Sequence, residues 1–130
     1  MKTNSVSAQG YKKLMLYQKS KELVINIYKL TDSYPASEKY GLIPQTRRAS
    51  VSVLANIVEG YSKDSSKEYA RFLTISIGSV TEVEVFLDIS FELGFLDRDN
   101  LDRMNILVEE IKKLLYGSRK AVRSRIQNLR

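Results

Sequence analysis

The chain contains no cysteine and no histidine, and these two absences restrict its possible chemistry before any motif is considered. Without cysteine there can be neither a disulfide nor a thiolate metal site. Without histidine the commonest general base and metal ligand is missing, and the usual di-iron site of helical bundles cannot form because it depends on Glu-x-x-His pairs. Together the two absences exclude most classes of enzyme, and no cofactor is expected.

Long uninterrupted apolar runs are also missing. The first 13 residues lack the apolar segment of a secretory signal peptide. The longest apolar-periodic segment is interrupted by Glu82, Glu84 and Asp88, which disfavours a membrane span. We therefore expect no membrane association and a cytoplasmic location. A length of 130 residues with 43% hydrophobic and 28% charged residues is typical of one folded domain.

Strand signals are weak, because the short β-branched runs lie inside longer helical periods and no Asn-Gly or Asp-Gly turn occurs. Apolar residues at helical spacing instead predict four helices. Their expected ranges are residues 14–31, 38–61, 65–93 and from just after Asn100 to about 125. Four long helices with short connections favour an all-α, antiparallel up-down-up-down four-helix bundle spanning residues 14–125. Residues 1–13 are expected to be a flexible tail and residues 126–130 a basic tail.

The fourth helix has the clearest apolar pattern, with a spacing of alternately three and four residues that indicates a buried seam. This seam comprises Leu101, Met104, Val108, Ile111, Leu115, Ser118 and Val122.

The second helix carries a narrow polar strip on an otherwise apolar surface when it is projected at about 100° per residue. The strip comprises Gln45, Arg48, Ser52, Asn56 and Glu59. Such a wide apolar surface exceeds what one side of a bundle needs, and the third helix shows the same excess. We therefore expect both helices to be covered a second time, by another copy of the chain.

The polar strip has two interpretations. Arg48, Asn56 and Glu59 could contact a ligand. Alternatively, the strip is a buried or interfacial hydrogen-bond network in which Arg48 pairs with Glu59, and Asn56 satisfies a helix end or a neighbouring chain.

Several short motifs in the second and third helices resemble those of the four-helix-bundle proteins encoded in intervening sequences of 23S rRNA genes, which are also labelled as ribosomal proteins. The matching residues are Tyr40-Gly41-Leu42, Gln45, Arg47-Arg48-Ala49, Ser52, Asn56-Ile57, Glu59-Gly60, Arg71-Phe72-Leu73, Gly78-Ser79 and Glu82. The similarity spans about Leu14 to Arg119. It implies a bacterial bundle that assembles into a ring, commonly a homopentamer. It extends to accessory proteins of diversity-generating retroelements, which implies a reverse transcriptase as one possible partner.

The positive charge of the chain is concentrated at its end. Residues 1–110 carry 14 basic and 15 acidic residues, whereas residues 111–130 carry seven basic residues and no acid, which accounts for the net charge of +6. Most of these cations fall within a sector of about 120° on the fourth helix. The candidate nucleic-acid contacts are Lys112, Lys113, Arg119, Lys120 and Arg123, together with Arg125. Clustered cations contact phosphates, but they also occur simply as a solvated helix end.

No catalytic motif accompanies these features. The sequence has no Walker loop or dinucleotide fingerprint, and the hydroxyls of Ser52 and Ser79 have no plausible base. Gly78-Ser79 is expected to be a close-packing point in a long helix, and Glu84 and Asp88 an exposed acidic face.

We therefore expect a non-enzymatic homo-oligomer that binds structured RNA, nonspecific DNA or a nucleoprotein through its fourth helix. The alternative is an adaptor ring that recruits another protein without contacting nucleic acid. A more distant alternative is a hydrolase that depends on Glu82.

Overall fold

The structure, a computed structural model, describes residues 10–128. These residues form four α-helices, and no strand occurs among them. The helices are α1 (Met15–Thr31), α2 (Leu42–Tyr61), α3 (Ser66–Glu92) and α4 (Arg98–Asn128), with short 3-10 helices at Gly10–Lys13 and Ala36–Glu38. The predicted all-α fold is confirmed.

Neighbouring helices pack antiparallel, as the contacts between α2 and α3 show. The hydroxyls of Ser52 and Ser79 lie 2.8 Å apart, and Arg48 lies 3.3 Å from Glu82. Residue numbers therefore fall along α2 in the direction in which they rise along α3. The same reversal relates α3 to α4. The helices thus form the expected up-down-up-down bundle, and the C-terminal half of α4 lies beside the N-terminal half of α3.

Both ends of α3 follow the predicted signals. The hydroxyl of Ser65 accepts a hydrogen bond of 3.1 Å from the backbone N–H of Glu68 and so caps the first turn. At the other end Gly94 adopts a left-handed φ of +81°, which glycine accommodates without steric cost. The backbone N–H of Phe95 then bonds to the carbonyl of Ser90 at 2.8 Å, which completes a Schellman motif.

The start of α2 differs from the prediction. The chain was expected to be helical from Glu38, but a 3-10 turn ends there and α2 begins at Leu42. The physical reason is that the carboxylate of Glu38 accepts a hydrogen bond of 2.9 Å from the backbone N–H of Leu42. Glu38 therefore caps the helix instead of belonging to it.

Helical structure extends into the described part of both predicted tails. Residues 10–13 form a 3-10 helix, in which the ring of Tyr11 packs edge-on against that of Tyr17 with 5.1 Å between centroids. At the other end α4 continues to Asn128, beyond the expected limit at residue 125. The remaining parts of the two predicted tails, residues 1–9 and 129–130, lie outside the described residues.

The core is built from the apolar positions that the periodicity predicted. The seam of α4 faces inward over its whole length, and its apolar members are all buried. Opposite it lie buried residues from the other three helices, which include Leu23, Ile27, Val53, Ile57, Leu73, Val80, Val83 and Leu87.

Small side chains let α2 and α3 approach closely. The Ser76 hydroxyl, fully buried, donates a hydrogen bond of 2.9 Å to the backbone carbonyl of Val53. Gly60 lies where a β-carbon would sit only 2.7 Å from the β-carbon of Phe72, a distance that real side chains do not tolerate. The two helices can therefore keep this separation only with glycine at position 60.

We expect Gly60→Ala to lower the free energy of unfolding by about 1–3 kcal/mol, because the added methyl group forces α2 and α3 apart. Gly117→Ala is the matched control: Gly117 is also inside a helix, but a β-carbon there meets nothing within 4 Å. That substitution should raise stability by roughly 0.5–1 kcal/mol. Urea denaturation followed by circular dichroism measures both, and equal effects of the two substitutions would contradict the close approach.

Candidate functional site

Charge is distributed unevenly over the bundle. Helix α4 carries twelve charged residues in 31, whereas α2 carries only three in 20. This asymmetry divides the surface into two regions. One is the basic sector of α4, defined as Lys112, Lys113, Arg119, Lys120 and Arg123; the other is the outer surface of α2 and α3, here called the α2–α3 face.

Lys112 is the member of the basic sector that is most engaged inside the chain. Its Nζ lies 3.1 Å from the carboxylate of Glu84 and 3.8 Å from that of Glu109. The hydrogen bond to Glu84 raises the pKa of Lys112 above its ordinary value, against a smaller lowering by burial. The stabilisation from this pair is therefore present in full below pH 10.5, the ordinary lysine value, and is lost as the pH rises through the higher folded pKa. The α4 projection alone does not reveal this pairing, because Glu84 belongs to α3.

Arg119 is partly engaged as well. One of its guanidinium nitrogens donates a hydrogen bond of 3.2 Å to the hydroxyl of Thr74, and its guanidinium carbon lies 5.1 Å from the centre of the Tyr116 ring. Lys113, Lys120 and Arg123 are exposed, and none of them forms an ion pair within residues 10–128. The structure thus leaves three cations of the basic sector open to a partner.

Arg125 projects away from the basic sector. Its charge instead acts on the phenol of Tyr69, whose pKa is raised chiefly by burial and is partly lowered again by this cation. The sequence placed Arg125 among the candidate contacts only because it belongs to the same basic run.

Within the polar strip of α2, the predicted pair between Arg48 and Glu59 is wrong for the single chain. Eleven residues separate the two, which is about 16 Å along a helix. Arg48 instead pairs with Glu82 at 3.3 Å, and Glu59 pairs with Lys63, which lies just beyond the end of α2, also at 3.3 Å. The strip is tied to α3 at one end and to the connection between α2 and α3 at the other.

The rest of the strip is a local hydrogen-bond network. The guanidinium of Arg48 donates to the side-chain carbonyl of Gln45 at 3.2 Å. The amide of Asn56 donates to the backbone carbonyl of Ser52 at 2.8 Å and to its hydroxyl at 3.2 Å. Because Ser52 also bonds to Ser79, Asn56 is linked through it to α3. These contacts lie within one chain, where Gln45, Arg48 and Glu59 are exposed.

The α2–α3 face carries apolar side chains that the bundle leaves open to solvent. Val51, Ile75, Val85 and Ile89 are all exposed by roughly two fifths to one half. No charged residue occurs in α3 from Phe72 to Thr81. Gly78 lies in this uncharged stretch, and a β-carbon there meets nothing within 4 Å. The expected close packing of Gly78 therefore does not occur within the chain, whereas that of its neighbour Ser79 does.

The acidic residues Glu82, Glu84 and Asp88 of α3 do not form a common site. Glu82 is held by Arg48. Of the predicted exposed acidic face, Asp88 is exposed, but Glu84 is half-buried and paired with Lys112 of α4. Among residues 10–128, no group of three or more acidic residues comes close enough to hold a metal ion. The hydroxyls of Ser52 and Ser79 bond to each other. The described residues thus assemble no recognisable catalytic centre.

These observations define an antiparallel four-helix bundle with a basic sector on its last helix and an apolar outer face on its second and third. A sequence profile of the 23S rRNA-intervening sequence protein family matches residues 12–117. The chain belongs to this family, as the motifs in α2 and α3 suggested.

A crystal structure of a Bacteroides thetaiotaomicron protein, described as a protein with unknown function from the S23 ribosomal protein family, has the same fold. Its sequence is 24% identical, the match covers 79% of this chain and 96% of that chain, and the TM-score is 0.72. No curated protein matches the chain. None of the helices in the described part is long and apolar enough to cross a membrane.

A double-mutant cycle tests the contact between α3 and α4 at the basic sector. We expect Lys112→Gln and Glu84→Gln each to lower stability slightly, with a coupling energy of roughly 0.2–1 kcal/mol, because both groups are partly exposed. Urea unfolding at neutral pH measures the four variants of the cycle. A coupling of zero would show that Lys112 is as available to a partner as its neighbours are.

Proposed function

We propose that the protein is a non-enzymatic homo-oligomer that binds nucleic acid, either structured RNA or nonspecific DNA, through the basic sector of α4. The observation that carries the proposal is the separation of the two surfaces. The apolar side chains of the α2–α3 face lie on α2 and α3, whereas the three cations of the basic sector that stay exposed, Lys113, Lys120 and Arg123, lie on α4. Copies can therefore join through the apolar side chains and leave these cations open.

Self-association is supported by the α2–α3 face. Ile75, Val85 and Ile89 recur on one side of α3, and Val51 is exposed on neighbouring α2. Apolar side chains grouped at a surface are typical of interaction sites, in contrast to scattered single ones. A glycine inside an exposed helix costs about 1 kcal/mol relative to alanine. No close contact within the chain offsets this cost at Gly78, whereas a helix from a second copy could use the space. The family resemblance favours a ring, commonly of five copies.

Nucleic-acid binding is supported by the charge of α4. Exposed lysine and arginine side chains without interleaved acids attract phosphates and release their counterions. Such contacts fix position but read no sequence, which favours structured RNA or nonspecific DNA over a specific operator. Repetition around a ring would strengthen the binding through avidity.

An adaptor function is the alternative, and the contacts of Lys112 and Arg119 favour it. Both side chains are engaged by α3, with Glu84 and with Thr74 respectively. In this case the basic sector is a solvated helix end, and the α2–α3 face or the ring recruits another protein. A reverse transcriptase is one such partner by family resemblance.

Charge neutralisation distinguishes the two functions. We expect the triple variant Arg119→Gln, Lys120→Gln, Arg123→Gln to bind a labelled structured RNA at least tenfold more weakly, because three cations that contact phosphates are removed. A tenfold loss corresponds to about 1.4 kcal/mol of binding free energy. Fluorescence anisotropy at low and physiological salt measures the affinity. For the unmodified protein, the slope of log affinity against log salt should be about −0.7 to −0.9 per neutralised phosphate.

The control for this experiment has the same change in charge on another surface. The variant Lys21→Gln, Lys29→Gln, Arg103→Gln removes three exposed cations from α1 and the start of α4. If both triple variants weaken binding equally, only net charge matters. If the unmodified protein binds no nucleic acid at either salt concentration, nucleic-acid binding is refuted and the adaptor function is the one to test next.

Self-association is tested by placing a charge on the α2–α3 face. We expect Val85→Glu to reduce the oligomer to smaller species, because the interface would have to bury an unpaired carboxylate. Ile106→Glu is the matched control on α4, where the side chain is 64% exposed. Sedimentation velocity measures the mass. An unmodified protein that sediments as a monomer, or a Val85→Glu variant with unchanged mass, would refute assembly through this face.

A further inference from the structure

An exposed aromatic ring lies at the centre of the basic sector. Tyr116 is 48% exposed on the outer side of α4. On a helix, side chains three and four residues apart are neighbours, with about 5–6 Å between β-carbons. By this rule the neighbours of Tyr116 within the helix are Lys112 and Lys113 on one side and Arg119 and Lys120 on the other. The tyrosine is therefore surrounded by cations.

The ring is held from one side and open on another. The guanidinium carbon of Arg119 lies 5.1 Å from its centroid, within the range of a cation–π contact. Arg119 is itself anchored by its hydrogen bond to Thr74 on α3, which favours a fixed orientation of the ring. The Arg119 contact nevertheless leaves about half of the Tyr116 side chain exposed to solvent.

Several other aromatic side chains pack against a second ring, and Tyr28, which is 42% exposed, lies against a single cation, Arg47 of α2. Tyr34 packs against Phe95, and Tyr61 packs against Tyr69. Tyr40 is even more exposed than Tyr116, at 87%, but it lies just before α2, at the opposite end of the bundle from the last turns of α4. The Nζ of Lys39 lies 5.6 Å from the centre of its ring. Tyr40 therefore provides an exposed aromatic ring that has one neighbouring cation but lies outside the basic sector.

We propose that Tyr116 is a stacking platform for an unpaired nucleobase, while Lys113, Lys120 and Arg123 hold the adjoining phosphates. This inference rests on the proposed function and adds to it the class of nucleic acid. An aromatic ring between cations is the arrangement that single strands require, because every base has a face to stack and every linkage a phosphate to neutralise. In a duplex the base faces are already stacked on each other. The preferred ligand is a single strand, or a loop or bulge in a folded RNA.

The length of the basic sector agrees with a single-stranded ligand. From Lys112 to Arg123 the basic sector extends on the order of 16 Å along the helix axis, the length of a short oligonucleotide. Stacking does not distinguish ribose from deoxyribose, so RNA and DNA single strands share this chemistry. Comparing the affinities for oligouridylate and oligothymidylate of equal length shows whether RNA or DNA single strands are preferred.

The direct test uses fluorescence, because the chain contains no tryptophan. Tyr116→Trp introduces a single indole at the proposed platform, and Tyr40→Trp introduces one at an exposed control position. We expect short oligothymidylate or oligouridylate to quench the fluorescence of the Tyr116→Trp variant saturably and less strongly at high salt, while the Tyr40→Trp variant stays unchanged. Equal quenching of both variants, or of neither when anisotropy shows binding, would overturn the inference.

Affinity provides the second test. Tyr116→Leu should weaken binding of the single strands about tenfold, in keeping with the stacking contribution of one base. Tyr116→Phe should retain the affinity to within about twofold, since the stacking face is kept. Binding of a DNA duplex should not change in either variant, and circular dichroism confirms the fold of each.

The outcomes separate this inference from the proposed function. If the unmodified protein binds duplexes and single strands alike and Tyr116→Leu affects neither, nucleic-acid binding stands and the stacking platform is refuted. If no nucleic acid binds at low salt, the proposed function is refuted and the platform with it. A preference for single strands that Tyr116→Leu abolishes and Tyr116→Phe preserves establishes both.

Discussion

The close approach of α2 and α3 is the contact on which the rest of the structure depends. It is possible because Gly60 leaves room for Phe72, and because the Ser76 hydroxyl bonds directly to a backbone carbonyl of α2. Small side chains at this contact contribute little apolar volume of their own, so the core is filled by larger residues from all four helices. The separation of α2 and α3 thereby sets the width of the bundle against which α1 and α4 pack.

The same contact explains the character of the outer surfaces. With serine and glycine turned toward the partner helix, several larger apolar residues of α2 and α3, such as Val51 and Val85, remain exposed on the other side. Helix α4, in contrast, buries a continuous apolar seam and carries charge on its outer side. The chain thus combines an exposed apolar face on α2 and α3 with a basic sector on α4.

Periodicity predicted the helices, the seam of α4 and the antiparallel order, because local sequence spacing determines which side of a helix is buried. Periodicity did not predict the features that depend on a hydrogen bond or ion pair between a side chain and a residue outside its own helix. The cap from Glu38 to Leu42 moved the start of α2, and the pairing of Lys112 with Glu84 joins residues 28 positions apart. The absence of any contact at Gly78 also could not be predicted, since the sequence pattern around a helical glycine is the same whether the glycine packs against another helix or faces solvent. A projection of the charges of α4 alone does not reveal Tyr116, although its position among the lysines is visible in the sequence.

Lysine footprinting tests most directly the central claim that the basic sector of α4, and not the overall positive charge, receives nucleic acid. The protein is acetylated briefly with and without a single-stranded oligonucleotide at low salt, and the modified lysines are quantified by mass spectrometry. We expect the oligonucleotide to protect Lys113 and Lys120, while Lys21 and Lys29, exposed on α1, react equally in both samples. Equal protection of all four lysines, or protection of the α1 pair alone, would contradict it.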